Sequence, residues 1–323
     1  MPEYEALLGL PTHLDCLLKT DVIESKLNSH LNGAFKGAEM RAMQVVDELV
    51  QGQERDSVMN LKLKLGVLCS DLGKTGGANL PENLPFNVMV ESVYAIKDHQ
   101  MNPDQVTFRQ FLETQQERLR AEYMDRIGEN GSATIADSNP DFDNTLAQLC
   151  THYGFSEDIS LRDFYNHHVE DSLATLDRAW QEIVEKQPEI LNDEIRVNDF
   201  QEVRKIVALH HAYRFIPEGY SLEDVNTECL YAMAADIYDA VLSRPPLQGY
   251  NNSHESAISM IEGSLNKVVR LQKPSVEKEE LEKTISDIIQ NLNSKSANLI
   301  RIFNPPAKVP EDADLKYFSG DKE

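Results

Sequence analysis

The sequence predicts an all-α protein. Nearly every periodic segment carries its apolar residues at three- and four-residue spacing, the repeat that lines one face of a helix, and no alternating apolar and polar run of useful length argues for a strand. Breakers cluster between periodic stretches, as in Gly128-Glu129-Asn130-Gly131 and Ser138-Asn139-Pro140, and mark a loop there.

In chain order, helices are expected over residues 14–31, 37–51, 57–71 and 85–97, each holding the helical apolar period. The next, 107–127, carries many charges and reads as a partly exposed helix. After the loop, helices are expected over 145–153, 161–185, 199–213, 227–243 and 254–271. Beyond Pro274, the segment 276–303 gathers Leu281, Ile285, Ile288, Ile289 and Leu292 on one face, as a packing or dimerisation helix would. From residue 304 onward Pro305, Pro306, Pro310 and several acids predict a disordered tail. No internal repeat implies a solenoid.

The chain has 323 residues, 41% of them hydrophobic, enough for one large core or two modest ones. No run of 18 apolar residues is present, and Met1-Pro2-Glu3-Tyr4-Glu5 is acidic where a secretory signal would be basic. A soluble, cytoplasmic protein without a membrane partner is expected. Cys16, Cys69, Cys150 and Cys229 are far apart in mainly apolar surroundings, which favours buried free thiols over disulfides or a zinc knot. The formal charge of −23 would repel a nucleic-acid polymer. A small anionic ligand remains compatible, because a buried metal inverts the local potential.

Two tempting motifs fail on their own chemistry. Gly73-Lys74-Thr75 suggests a phosphate loop, but Leu68 stands where that loop needs glycine and the preceding pattern is helical. Asp137, Asn139, Asp141 and Asp143 imitate the start of a calcium loop, but Phe142 occupies the turn-glycine position and Gln148 the terminal acid.

A scattered His/Asp set is more informative. His210-His211 end an apolar helical run, and Asp236 lies in a later apolar helix, so two imidazoles and a carboxylate on neighbouring helices suggest a divalent-metal site. His168 and Asp71 extend the set, Asp71 sitting where an apolar helix ends in an acid, a glycine and Lys74. Other readings attach to the same residues. A histidine near a helix C-terminus interacts favourably with its dipole. Asp71 has Lys74 or Arg41 as ion-pair candidates, and Asp236 has Arg204 or Arg244. His167 is expected to face solvent, since it and His168 cannot both point inward from one helix. Tyr220, Tyr238 and Trp180 read as core or rim.

The run Leu68-Cys69-Ser70-Asp71-Leu72-Gly73-Lys74 resembles the His-Asp signature helix of the HD superfamily of metal-dependent phosphohydrolases, with Ser70 in place of the histidine. Further segments resemble its HD-GYP branch, the cyclic-di-GMP phosphodiesterases, in the same order. Gly37-Ala38-Glu39-Met40-Arg41 resembles a Gly-His-x-x-Arg helix start with Ala38 for the histidine, and 161–168 matches the segment in which His168 is the ligand. Leu209-His210-His211 with Gly219-Tyr220 resembles the His-His and Gly-Tyr-Pro motif, Ala212 and Ser221 departing from it. Ala235-Asp236-Ile237-Tyr238-Asp239-Ala240 with Ser243-Arg244-Pro245 is the strongest match.

The resemblance implies an HD-domain-like helical bundle over 36–272, with an insertion at 75–160 and a second near 187–199. An N-terminal helical segment, 1–35, precedes it, and a C-terminal helix, 273–303, and the 304–323 tail follow. It implies iron or manganese, rather than zinc, held by Asp71, His168, His210, His211 and Asp236, with Lys74 and Asp71 as the catalytic candidates. Ala38 and Ser70 supply no imidazole, so the two-metal clamp is expected to be broken and one metal retained. The function this favours is a degenerate signalling or regulatory module that binds a small anion such as a cyclic dinucleotide, with a protein partner as a further option. The alternatives are an active phosphodiesterase using His30 or Glu39 as a replacement ligand, and an acidic helical adaptor without ligand.

Overall fold

The computed structural model describes residues 15–32, 38–51, 57–76, 84–96, 101–129, 142–153, 159–243 and 252–304. Its first helices are α1 (Asp15–Leu18), α2 (Asp21–Asn32), α3 (Ala38–Val50), α4 (Ser57–Ser70), α5 (Leu84–Ala95), α6 (Phe108–Glu129) and α7 (Phe142–His152). There follow α8 (Leu161–Asn166), α9 (His168–Lys186), α10 (Glu194–Leu209), α11 (Thr227–Ser243), α12 (His254–Arg270), α13 (Val276–Ser294) and α14 (Ser296–Phe303). Short 3-10 turns cover Leu72–Thr75, Pro188–Asn192 and Leu222–Asp224. Among the described residues there is no sheet; Thr107 and Ser160 form an isolated antiparallel bridge. The all-α class read from the apolar spacing is the observed one.

Three helices expected to be continuous are divided, each for a local reason. The 14–31 helix parts at Lys19-Thr20, where the Thr20 hydroxyl donates to the Leu17 carbonyl at 2.8 Å and competes with the helical ladder. The 161–185 helix parts at His167, whose N–H is shared between the Asp163 and Phe164 carbonyls at 3.1 Å. The 276–303 helix parts at Lys295. A fourth helix starts early: α10 begins at Glu194, because the Asp193 side chain accepts from the Arg196 N–H at 3.2 Å, and it ends at Leu209 rather than Tyr213. The 187–199 stretch is thus a 3-10 turn and the opening of α10.

Two hydrophobic cores result. The larger joins α1–α4 to α9–α14, with Leu63, Leu65, Ile206, Leu230 and Ile261 sealed from solvent. The apolar face of α13 is consumed here, Leu281, Ile285, Ile288 and Leu292 being buried against α11, α12 and α3. That face packs within the chain, and burying each such side chain contributes about 1.5–3 kcal/mol. The smaller core belongs to α5–α8, where Phe164 stacks on Phe108 with ring centres 4.4 Å apart. The described residues of α5, α6 and α7 therefore have an interior of their own, closed by Leu161 and Phe164 from α8.

Two glycines set how closely the site-bearing elements meet. A Cβ on Gly66 would stand 2.4 Å from Ile206 Cγ2, so α4 and α10 cross in direct contact only because that atom is missing. A Cβ on Gly73 would stand 2.1 Å from the His168 carbonyl oxygen, so the 3-10 turn after α4 lies against the first turn of α9. Gly73 thereby packs as a close-approach residue after a helix, not within a phosphate loop.

No helix among the described residues is long and apolar enough to cross a membrane. All four cysteines are free thiols, and burial pushes those of Cys69 and Cys229 up to about 12. The imitation calcium loop at 137–141, Arg244-Pro245 and the 305–323 tail lie outside the described residues.

Candidate functional site

Three helix ends meet at one point. The break at His167 makes His168 the first residue of α9, and the end of α10 makes His210 its C-terminal cap, with His211 next. Asp71 sits between the last residue of α4 and the 3-10 turn. That turn is held on α9 by a relay in which the Gly73 N–H donates to Ser172 Oγ at 2.8 Å, and Ser172 Oγ donates to the Ser70 carbonyl at 2.8 Å.

Both buried imidazoles are oriented by their own helices. His168 Nδ1 is bonded to the Tyr165 carbonyl, and His210 Nδ1 to the Val207 carbonyl at 2.7 Å. A carbonyl only accepts, so each Nδ1 carries a proton and each Nε2 is turned into the space between the helix ends. Those two Nε2 atoms are 3.4 Å apart. Asp71 Oδ1 lies 3.3 Å from His168 Nε2 and 4.0 Å from His210 Nε2. The His211 ring stands with its centre 4.1 Å from that of His210 and 5.2 Å from that of His168. One nitrogen from each of the three histidines falls within 4.8 Å of the others. His211 Nδ1 is buried without a hydrogen-bond partner among the described residues, Asp236 Oδ2 approaching to 3.6 Å.

The electrostatics follow from burial. Burial, followed by the neighbouring His168, pushes His210 down to about 3. Burial, with His210 and His168 adding to it, holds His211 well below its ordinary range. Burial opposes ionisation of Asp71, but Lys74, the His168 hydrogen bond and the charges of His168 and His210 outweigh it and hold the carboxyl well below the usual carboxylate range. The centre therefore places the His210 and His211 rings, both disfavoured as cations, beside an ionised carboxylate.

All five residues singled out as metal ligands lie in or against this cluster, Asp236 joining it only beside His211. Lys74, expected at a phosphate oxygen, is ion-paired to Asp71 Oδ2. Ser70, beside Asp71, turns its hydroxyl back to the Val67 carbonyl at 2.8 Å. Arg41 pairs with Asp239 and Arg204 with Asp177, so neither takes the aspartates they were candidates for. His167 pairs with Glu170 at the rim. Tyr238 is buried against His254, and Trp180 stacks on Phe200, as core residues. The side chains of His30, Ala38 and Glu39 lie outside the described residues.

Sequence reasoning missed a second buried polar shell beneath the turn. Lys26 Nζ donates to the Thr75 and Gly76 carbonyls at 3.0 and 2.6 Å. Tyr153 donates to Asp171 Oδ2 at 2.8 Å, one helical turn from His168. Ser172 carried a readable signal, lying four positions after His168 on the same helix face. Lys26 carried none, since its partners are main-chain atoms nearly fifty residues away.

Comparison of the chain with models of protein families, with curated proteins and with solved structures returns no match.

Proposed function

We propose that His168, His210, His211 and Asp71 hold one divalent transition metal in a helical domain of HD-GYP-like ancestry, which works as a ligand-binding regulatory module. The observation carrying this reading is the pair of Nε2 atoms facing each other at 3.4 Å, with Asp71 Oδ1 3.3 Å from one of them. Two ring nitrogens and a carboxylate oxygen so placed repel unless a proton or a metal ion is shared between them. Ligands about 2.1 Å from a common tetrahedral centre are about 3.4 Å apart, so the spacing suits an ion. The Nδ1 bonds to main-chain carbonyls are the outer support that metal-bound histidines ordinarily have.

A bound ion of this kind would lower the pKa of a coordinated water and neutralise charge on a phosphoryl oxygen. The regulatory reading, rather than efficient hydrolysis, is supported by the second half of the clamp. Ser70 is turned onto its own helix, and Lys74 is engaged by Asp71. The residues that remain orient a ligand next to a single centre; they do not provide the opposed pair of ions that in-line displacement uses. The ligand class that fits is a small phosphate-bearing anion, a cyclic dinucleotide being one example.

Elemental analysis of the purified chain tests this directly. About one equivalent of iron, manganese or zinc is expected, falling below a tenth in the His168→Ala, His210→Ala double variant. A chain free of metal, whose melting temperature does not rise when these ions are added, would be an adaptor without a metal centre. Turnover of an aryl phosphodiester and of cyclic-di-GMP, abolished by His210→Ala, would show a working phosphohydrolase and overturn the regulatory assignment.

A further inference from the structure

A second feature lies beside the histidine cluster, in a part of the surface whose charge opposes that of the whole. Arg162, Arg214, Lys267, Asn166 and Asp104 line a cavity of about 330 Å³. Acidic residues outnumber basic ones 54 to 31 in this chain, yet three cations from three separate segments converge here on one carboxylate. Asp104 is already engaged, accepting from Arg162 Nε at 2.9 Å and from its Nη2 at 3.4 Å. Arg214 also feels that carboxylate, so the wall carries three cations against one anion, an excess of positive charge.

Both are placed by the main chain around the histidines. The Arg214 N–H donates to the His211 carbonyl at 2.8 Å, and its guanidinium lies over the Tyr213 ring, 5.1 Å from the ring centre. Arg214 forms no ion pair among the described residues. Lys267, from α12, donates to the Tyr213 carbonyl at 2.9 Å, which fixes its ammonium on the same side. Asn166 ends α8 two positions before His168 and adds an amide to the wall. Gathering like charges is unfavourable in the free protein, and an anion between them relieves it.

We propose that this cavity is an oxyanion site for the phosphate group of a phosphomonoester or pyrophosphate-class ligand. The net excess of two positive charges matches the double charge of such a group, and guanidinium forks suit phosphate oxygens geometrically. The volume lies at the lower end of small-molecule sites, so a phosphate with an attached sugar or a second phosphate fits, whereas a polymer does not. The proposal rests on the reading above only in giving the phosphate to the same ligand; the cavity's own charges carry the rest.

Titration of metal-stripped full-length protein with inorganic pyrophosphate by calorimetry separates the two. Saturable binding is expected without metal, weakened by about tenfold or more in Arg214→Ala and again in Lys267→Ala. It should change by less than about twofold in Lys273→Ala, an exposed lysine paired with Glu223 elsewhere. Succinate and citrate, run in parallel, should bind more weakly than pyrophosphate. Absence of saturable binding, equal affinity in the wild type and both cavity variants, or tighter binding of the carboxylates would each overturn the proposal. Loss of binding in His210→Ala alone would move the anion to the histidine cluster. Arg214 and Lys267 are exposed, so both variants should melt as the wild type does.

Discussion

The Nε2 atoms of His168 and His210 face each other at 3.4 Å, and each ring is turned that way by a bond from Nδ1 to a carbonyl three residues earlier in its own chain segment. The orientation is thus local to each helix end, while the meeting is tertiary. Both rings are set by the chain itself, so under the proposed metal reading little ordering would oppose binding. Replacing His210 with asparagine, which keeps polarity but shortens the reach, is expected to lower metal affinity by about a hundredfold. Competition with a chromophoric chelator measures this, and an affinity within about threefold of the wild type would remove His210 from the ligand set.

Gly73 is the residue that sets Asp71 against α9. A methyl group there meets the His168 carbonyl at 2.1 Å, a backbone atom that cannot step aside, so Gly73→Ala is expected to destabilise by about 3 kcal/mol or more. Gly66→Ala meets the Ile206 side chain at 2.4 Å, which yields more easily, and should cost about 1–3 kcal/mol. Gly263 lies inside α12 with open space at its Cβ, and alanine there should stabilise by about 0.5–1 kcal/mol. Urea unfolding of the three variants checks the order, and a Gly73→Ala protein as stable as Gly263→Ala would contradict the packing described.

Burial makes the histidine cluster acid-sensitive. His210 takes up a proton near its ordinary value when unfolded but only near about 3 when folded, so the stability it contributes is present above pH 6.5 and lost as pH falls toward 3. His211 is shifted in the same direction. Metal-stripped protein should therefore lose up to about 1.4 kcal/mol per pH unit for each of these histidines across that window. Urea midpoints from pH 7 to pH 4, compared with His210→Gln, isolate the contribution. A parallel pair of profiles would show that His210 is not buried as a neutral ring.

How much of this was legible follows from the range of each interaction. Helix type was readable because Leu281, Ile285, Ile288 and Leu292 repeat with the helical period and are buried together. Asp71, His168, His210 and Asp236 were readable because each ends or lines an apolar helix in a recognisable local pattern. The break that frees His168 to start α9 was not, since it depends on how His167 shares its N–H and on Gly73 pressing against the following carbonyl. The pairing of Asp71 with Lys74 was one of two readings open in the sequence, and the 3-10 winding of the segment after α4 decides it against Arg41. The basic cavity was invisible because Arg162, Arg214 and Lys267 come from segments with no shared pattern.

Lys26 gives the sharpest separation of stability from site geometry. Its ammonium lies beneath the turn bearing Asp71 and is pushed down to about 8, burial outweighing the attraction of Asp171 and Glu91. The charged form is therefore disfavoured by folding, and the stability this group contributes is present above the unfolded value of 10.5 and lost as pH falls through about 8. Lys26→Met removes that dependence and also removes the donor to the Thr75 and Gly76 carbonyls. The variant should look closer to wild type at pH 7 than at pH 10, the deficit growing by about 2–3 kcal/mol between them. Because the turn loses its anchor, metal affinity at pH 7 should still fall by about tenfold. Urea melts at the two pH values, with a chelator titration at pH 7, check both parts. A deficit that shrinks toward pH 10 would mean that Lys26 is more stable charged in place, which the buried position forbids.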